Sequence, residues 1–343
     1  MTISPGVDPI KLSVILPCFN GASTIAVQLE ALTRQSWAAD WEVIVVNNGS
    51  TDHSMDIVQT YRHRLPGLSI VEAHLPGTTR LGVPHSYNKG IAAATGDAFV
   101  FCEADDEVAP GWLEAMGRAL MKHEFVAARL DHRKLNDEWM HPAVGDGYQS
   151  RELVRQPSFP HFVSASACGF GIRRWLYEKI GPLDIDFPIV HDAEYCWRAQ
   201  LAGYSVYFES AALVYYREKS TMKARFRQGL NWGKDTTRMH HYYGSLQGKL
   251  SLPRQLFSMA RSLPSGAKAM LSRTFRRPNG KQLVGNWVWD WGWSTGKLML
   301  VLDNRALPQR EGLEAAFAAL RQASSSPPSS GGSAPGKNLQ NSL

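Results

Sequence analysis

The sequence predicts an α/β fold: a doubly wound, mostly parallel sheet flanked by helices, with a C-terminal helical extension. Three observations carry this. Short β-branched apolar runs recur through the first hundred residues, at 12–18 (LSVILPC), 41–47 (WEVIVVN), 68–73 (LSIVEA) and 97–103 (DAFVFCE). Segments of helical character separate them, and continuous apolar strands between helices indicate a parallel sheet covered on both faces. Polar groups gather directly after the strands, at Asn20 and Gly21, at Asn47 and Asn48, and at Glu103, Asp105 and Asp106. Ligands bind beyond the carboxyl ends of such strands.

The elements follow in order. After the first strand, Ile25, Leu29 and Leu32 recur near helical spacing within 23–35. Asn48, Gly49 and Ser50 break the second strand, and a helix-like stretch fills 52–64. Residues 85–95 read as a helix before the fourth strand, 111–123 as a helix and 125–132 as a strand. Strands and loops continue to 169–181, and 191–203 is predicted to be a helix capped by Asp192 and stopped by Gly203. SVYFE and ALVYYRE read as two further strands, and 220–305 as basic, amphipathic helices. No internal repeat is visible. The expected division is an α/β domain over 1–217, a basic helical extension over 218–322 and a disordered Ser/Pro/Gly-rich tail over 323–343.

Composition narrows the class. Of 343 residues, 44% are hydrophobic and 20% charged, the balance of a globular protein. No apolar run approaches the ~18 residues that span a bilayer, and the first ten residues show no secretory signal. The four cysteines (Cys18, Cys102, Cys168, Cys196) lie far apart without a C-x-x-C pair, so a reducing cytoplasm is expected. Charge is uneven. Residues 1–216 carry 17 basic against 25 acidic groups, a net of −8, whereas 217–277 carry 14 against 2, a net of +12. An acidic body with a basic extension is not the surface of a nucleic-acid binder.

The acidic stretch FCEADDE (101–107) carries chemistry of its own. Three carboxylates emerging from one strand repel unless a positive charge joins them, and a hard divalent cation is the usual answer. A solvated acidic loop is the alternative for an arbitrary run. Position at the end of a central strand favours the metal.

Four segments then combine: VILPCFN (14–20), EVIVVNNGSTD (42–52), NKGIAAATGDAFVFCEADD (88–106) and GPLDIDFPIVHDAEYCWRAQLAGY (181–204). In this order they resemble the family 2 inverting glycosyltransferases, which have the GT-A fold, over roughly residues 10–217. The resemblance implies a nucleotide-diphosphate sugar donor, a divalent cation (Mn2+ or Mg2+) and a glycan or lipid-linked hydroxyl acceptor. It implies transfer of one sugar in polysaccharide or glycoconjugate synthesis. Pro17, Phe19 and Asn20 then pack against the donor nucleotide, Asn47 takes the place of the aspartate that bonds the base, and Arg80, Asn88 and Lys89 lie where ribose and diphosphate are contacted. For Arg80 an ordinary surface arginine is the alternative. Glu103-Ala104-Asp105 corresponds to the D-x-D signature, with Asp105 the metal ligand and Glu103 its partner.

The general base falls on Asp192, where the family carries an E-D pair and this chain has His191-Asp192. A mere helix cap is the other role open to Asp192. His191 is either an auxiliary that adds pH dependence or a bystander. Asp106 and Trp232 are further auxiliary or acceptor candidates, and Trp139, His161 and Trp175 lie in the region that shapes acceptor pockets. Relatives carry a third metal ligand, a histidine, after the last strand; LVYYRE offers Tyr215 and Tyr216 there instead. Gln228, Asn231 and Trp232 form a degenerate Q-x-x-R-W pattern, and without a membrane channel processive synthesis is rejected.

Two rivals stand beside this reading. A sugar-phosphate nucleotidyltransferase would carry a Gly-rich basic loop after the first strand, which VILPCFNGAS lacks. A catalytically impaired nucleotide-sugar-binding protein is the other. For the extension, NWVWDWGW (286–293) places four of the 11 tryptophans at alternate positions. With the basic charge it points to peripheral contact with an anionic membrane surface on the inner face of the cell membrane, or else to packing within a helical subdomain.

Overall fold

The computed structural model describes residues 9–74, 80–142, 146–156, 159–243, 251–277 and 279–303. The expected tail over 323–343 lies outside the described residues. The first half alternates as anticipated: β1 (Leu12–Cys18), α1 (Ile25–Leu32), β2 (Trp41–Asn47), α2 (Ser54–Thr60), β3 (Ser69–Glu72), α3 (Val83–Ala93) and β4 (Ala98–Phe101). Then come β5 (Glu107–Val108), α4 (Trp112–Leu120), β6 (Phe125–Asp131), β7 (Val154–Gln156), β8 (Phe159–Ser164), β9 (Phe170–Arg173), α5 (Arg174–Ile180), α6 (His191–Leu201) and β10 (Tyr207–Tyr215). Three long helices end the described chain: α7 (Met222–Tyr242), α8 (Leu252–Thr274) and α9 (Gly280–Asp303).

The main sheet has eight strands in the order β3-β2-β1-β4-β9-β6-β10-β5. β1 to β4 pair in parallel. β9 runs antiparallel between β4 and β6, and β5 antiparallel to β10, so the second half of the sheet is mixed. Burial on both faces explains the unbroken apolar strands. Leu12, Val14 and Leu16 of β1 join one core with α1 and α4, while Ile15 joins Ile44 and Val46 in a second core beneath α3 and α6. Gly90 lets α3 settle on the sheet, because a Cβ there would meet Ile15 Cγ2 at 2.5 Å and Val46 Cγ2 at 2.8 Å.

Two expectations need correction. SVYFE and ALVYYRE are one strand, not two: β10 follows β6 on both sides of a register shift between Glu209 and Leu213. A bulge of this kind breaks the apolar alternation without ending the pairing. Asp192 is not the helix cap either. Val190 holds that place, and Asp192 sits within the first turn of α6. Gly203, with φ +89°, follows the end of α6 as expected.

The helical extension folds back on the body. Asp235 on α7 accepts from the Ile189 backbone N–H at 3.2 Å, and Tyr243 donates to Glu194 on α6 at 2.8 Å. α7 and α9 meet backbone to backbone: a Cβ at Gly229 or Gly233 would collide with the Trp289 and Trp293 carbonyls, and Gly292 and Gly296 face Phe226 and Leu230 in the same way. Trp287 donates to the Ser262 carbonyl at 3.1 Å, with its ring over Gly266. Among the described residues no helix is long and apolar enough to cross a membrane, and all four cysteines are free and buried.

Candidate active site

The site begins where β4 ends. Phe101 and Cys102 are fully buried, and the chain turns through Glu103, Ala104, Asp105 and Asp106 at the carboxyl edge of the sheet. Carboxylate oxygens of Glu103, Asp105 and Asp106 lie within 4.8 Å of one another. Asp106 points inward: one oxygen accepts from the Arg217 backbone N–H at 2.8 Å, and the other is buried without a hydrogen-bond partner. Burial, then the charges of Asp105 and Glu103, hold the Asp106 carboxyl well above the usual range. Burial and Asp105 push Glu103 up to about 8. The cluster is therefore short of positive charge.

The loop after β10 supplies one cation. Lys219 Nζ lies 3.1 Å from Asp105 Oδ2, and Arg217 Nε donates to the Asp105 carbonyl at 2.7 Å. The charge of Asp105 raises the Lys219 pKa, so the side chain is an ammonium at neutral pH. No local pattern announces Lys219. The available signal was charge, a basic R-E-K after the last strand matched to an acidic turn more than a hundred residues earlier.

These groups line a cleft of about 550 Å³. Pro17, Phe19 and Asn20 are among its lining residues. Asn20 holds its loop with φ +49°, its side chain accepting from the Thr51 backbone N–H at 2.8 Å. Glu103, Ala104 and Asp105 line it too, together with Lys219 and Thr221.

Other expected residues are spent elsewhere. Asn47 does not line the cleft: its amide donates to Glu72 at 2.8 and 3.1 Å, and its oxygen accepts from Ser50 N. The wall residue is Asn48, whose Oδ1 is buried and unpartnered. Asn88 holds α3 to the 181–190 loop, bonding both backbone groups of Leu183 and the Tyr177 hydroxyl. The α3 residues in the cleft wall are Val83 and Ser86, while Lys89 is exposed outside it. Arg80 stacks on the exposed Phe19 ring, 3.5 Å from its centroid, at the cleft mouth. Trp232 is half-buried on α7 outside the cleft wall, and Trp139 is held between Arg225 and Lys281. Trp175 packs on Tyr204, and the His161 side chain lies outside the description. Tyr215 carries Lys134 over its ring, and Tyr216 packs with His132 and Tyr148.

Asp192 enters from the first turn of α6. Its Oδ1 accepts from the Ala193 N–H at 2.8 Å, and the Ala167 N–H also reaches its carboxylate. Burial raises its pKa, while His191 and these donors oppose the rise. Asp192 is not among the residues that line the cleft, and its charge adds to the rise of the Glu103 carboxyl. His191 is buried, and burial lowers its pKa, so the imidazole is uncharged at neutral pH.

The donor set fits a divalent cation. Three hard carboxylates converge, one oxygen is buried and unanswered, and no soft ligand lies among them. Asp105, with Glu103 beside it, faces the cleft and would hold the ion; Asp106 supports them from below.

Comparison with known proteins agrees with this geometry. Residues 13–181 match the model of glycosyl transferase family 2. The uncharacterized glycosyltransferase YibD of Escherichia coli (strain K12) is 28% identical over 250 residues, 68% of this chain and 68% of that protein. The probable glycosyltransferase YdaM of Bacillus subtilis (strain 168) is 28% identical over 242 residues, 65% of this chain but only 54% of that one. Among solved structures, the mannosyltransferase PcManGT from Pyrobaculum calidifontis, in complex with GDP-Man and Mn2+, superposes with a TM-score of 0.51 at 17% identity. That match covers 93% of this chain and 82% of that chain, and it shows the shared fold. A GT-A-like sheet, an acidic turn after its fourth strand and the match over residues 13–181 together place that segment with glycosyl transferase family 2.

Proposed function

We propose that the protein is an inverting glycosyltransferase that moves one sugar from a nucleoside-diphosphate sugar to a hydroxyl of a glycan or lipid-linked acceptor. One observation supports the reading: the acidic, cation-deficient turn of Glu103, Asp105 and Asp106 opens on the 550 Å³ cleft at the carboxyl edge of the sheet. Pro17, Phe19, Asn20 and Asn48 would hold the nucleoside, and Lys219 would meet the diphosphate. A divalent cation held by Asp105 and Glu103 would neutralise charge on the leaving diphosphate. Residues 1–217 constitute the catalytic domain, and 218–322 an extension that holds the enzyme at the inner face of the cell membrane.

Asp192 is the general base. Its carboxylate takes the proton of the acceptor hydroxyl as that oxygen bonds to the anomeric carbon. The bond from that carbon to the phosphate oxygen breaks, its electron pair leaves with the nucleoside diphosphate, and the configuration inverts. Burial suits the role, because a carboxylate with a raised pKa is a better proton acceptor near neutral pH. Lys219 meets the charge that develops on the leaving oxygen. Asp192→Asn keeps the shape and removes the basic oxygen, so transfer should fall by ~10²–10⁴-fold with donor affinity nearly unchanged. Turnover close to wild type with the acceptor would take Asp192 out of the mechanism, and retention of the donor's anomeric configuration, read by NMR, would refute inversion.

A further inference from the structure

α8 has three distinct faces. At 3.6 residues per turn, Ser262, Gly266 and Ala269 share the side packed toward α9. Leu252, Leu256, Leu263 and Met270 line up on the next side, with Phe257 and Leu271 at its far edge. All six are exposed, Phe257 by 65% and Leu271 by 57%. Arg254, Arg261 and Lys268 recur every seven residues along the border of this stripe, all exposed. Residues 251–277 contain six Lys or Arg and no Asp or Glu, and Phe275, 72% exposed, extends the apolar edge past the helix end.

We propose that α8 lies flat in the headgroup region of an anionic bilayer, its leucine and phenylalanine stripe in the acyl boundary and its basic row on the lipid phosphates. The proposal deepens the membrane placement given above and rests on none of the catalytic residues. A stripe of aliphatic and aromatic side chains edged by cations is the form of an in-plane helix. Among the described residues no helix is long and apolar enough to cross a membrane. A second copy of the chain is the poorer occupant, because pairing this face with itself would bring two basic rows together with no acid to answer them. The tryptophans of α9 offer less free surface than this stripe: all four are half-buried, and Trp287 donates to the Ser262 carbonyl of α8.

Sedimentation of the full chain with phosphatidylcholine vesicles, with and without a third of phosphatidylglycerol, tests this. Binding should require the anionic lipid and weaken with salt, since the attraction decays over ~8 Å at physiological ionic strength. Replacing Arg254, Arg261 and Lys268 together by Gln should weaken binding on the order of 10²-fold, about fivefold per cation. Phe257→Asp with Leu271→Asp should abolish it while the melting temperature and lipid-free donor hydrolysis stay unchanged. Equal recovery with neutral and anionic vesicles would overturn the proposal, as would a Phe257/Leu271 variant that still binds. A wild-type dimer made monomeric by those two changes would assign the face to a second copy instead. Lost transfer by an unanchored but donor-hydrolysing enzyme bears on this surface; lost hydrolysis with vesicle binding intact bears only on the catalytic reading.

Discussion

Lys219 holds the place a divalent cation would take against Asp105, so removing it should act on metal and donor in opposite directions. The ammonium lies 3.1 Å from Asp105 Oδ2, with the Lys219 and Asp105 side chains 45% and 35% exposed. The backbone around it is fixed, since Arg217 N bonds Asp106 and Glu218 N bonds Asn136 at 2.8 Å. Only the lysine side chain is free to swing. A pair this exposed is screened and worth at most about 1 kcal/mol. Lys219→Ala should therefore tighten Mn2+ binding to the nucleotide-free protein about fivefold, by removing an internal competitor. Once the metal is bound, the displaced ammonium is available to the diphosphate. One charge-assisted hydrogen bond contributes ~1.5–3 kcal/mol, so nucleoside diphosphate should bind the variant at least about tenfold more weakly at saturating Mn2+. Paramagnetic resonance of free Mn2+ reads the first effect and calorimetric titration of the nucleotide the second. Weaker Mn2+ binding by the variant would refute the competition and leave Lys219 a structural tie. Both affinities within twofold of wild type would remove it from the site altogether.

Three further outcomes are expected. Glu42 accepts from Ser13 Oγ, Thr95 N and Thr95 Oγ1 at 2.7–2.8 Å; burial would raise its carboxyl, but these donors hold it below its ordinary value. Glu42→Ala should cost about 2 kcal/mol in urea unfolding at neutral pH, and that contribution is present above the unfolded pKa of ~4.3 and lost as pH falls through the lower folded value. His240, stacked on Trp197, is pushed down to about 4 by burial and by Lys297, so the unfolded chain binds a proton between pH 6.5 and 4 that the folded one refuses. Stability should decline over that window by up to about 3 kcal/mol, part of it restored in His240→Phe, while the slope left in that variant reports on His191; an unchanged slope would show that the ring is not buried neutral. Gly233→Ala drives a methyl into the Trp293 backbone and should cost more than about 2 kcal/mol, and a neutral result would mean that α7 and α9 do not meet there.

The strands that carry the site were legible because both of their faces are buried. β1 and β2 begin and end where their apolar runs do, and the acidic turn follows β4 as its spacing implies. Legibility fails wherever the decisive fact is the direction of a side chain rather than its type. Asn47 and Asn48 offer the same amide, yet one residue along an extended chain turns the side chain to the other face. Asn47 therefore meets Glu72 while Asn48 meets the cleft. Asn88 has the chemistry to bind a diphosphate, but Leu183 and Tyr177 use both ends of its amide, a pairing 95 residues apart that no local pattern shows. The tryptophans of 286–293 alternate in sequence, but on a helix steps of two residues spread them around the axis, where all four are half-buried and pair as Trp287 with Trp291 and Trp289 with Trp293. α8 is the converse. Its exposed leucines look like an ordinary core stripe until the neighbouring helix is seen to cover only the side bearing Ser262, Gly266 and Ala269. What is left over by that packing, an apolar face bordered by cations, can be recognised only after the partners of every other face are known.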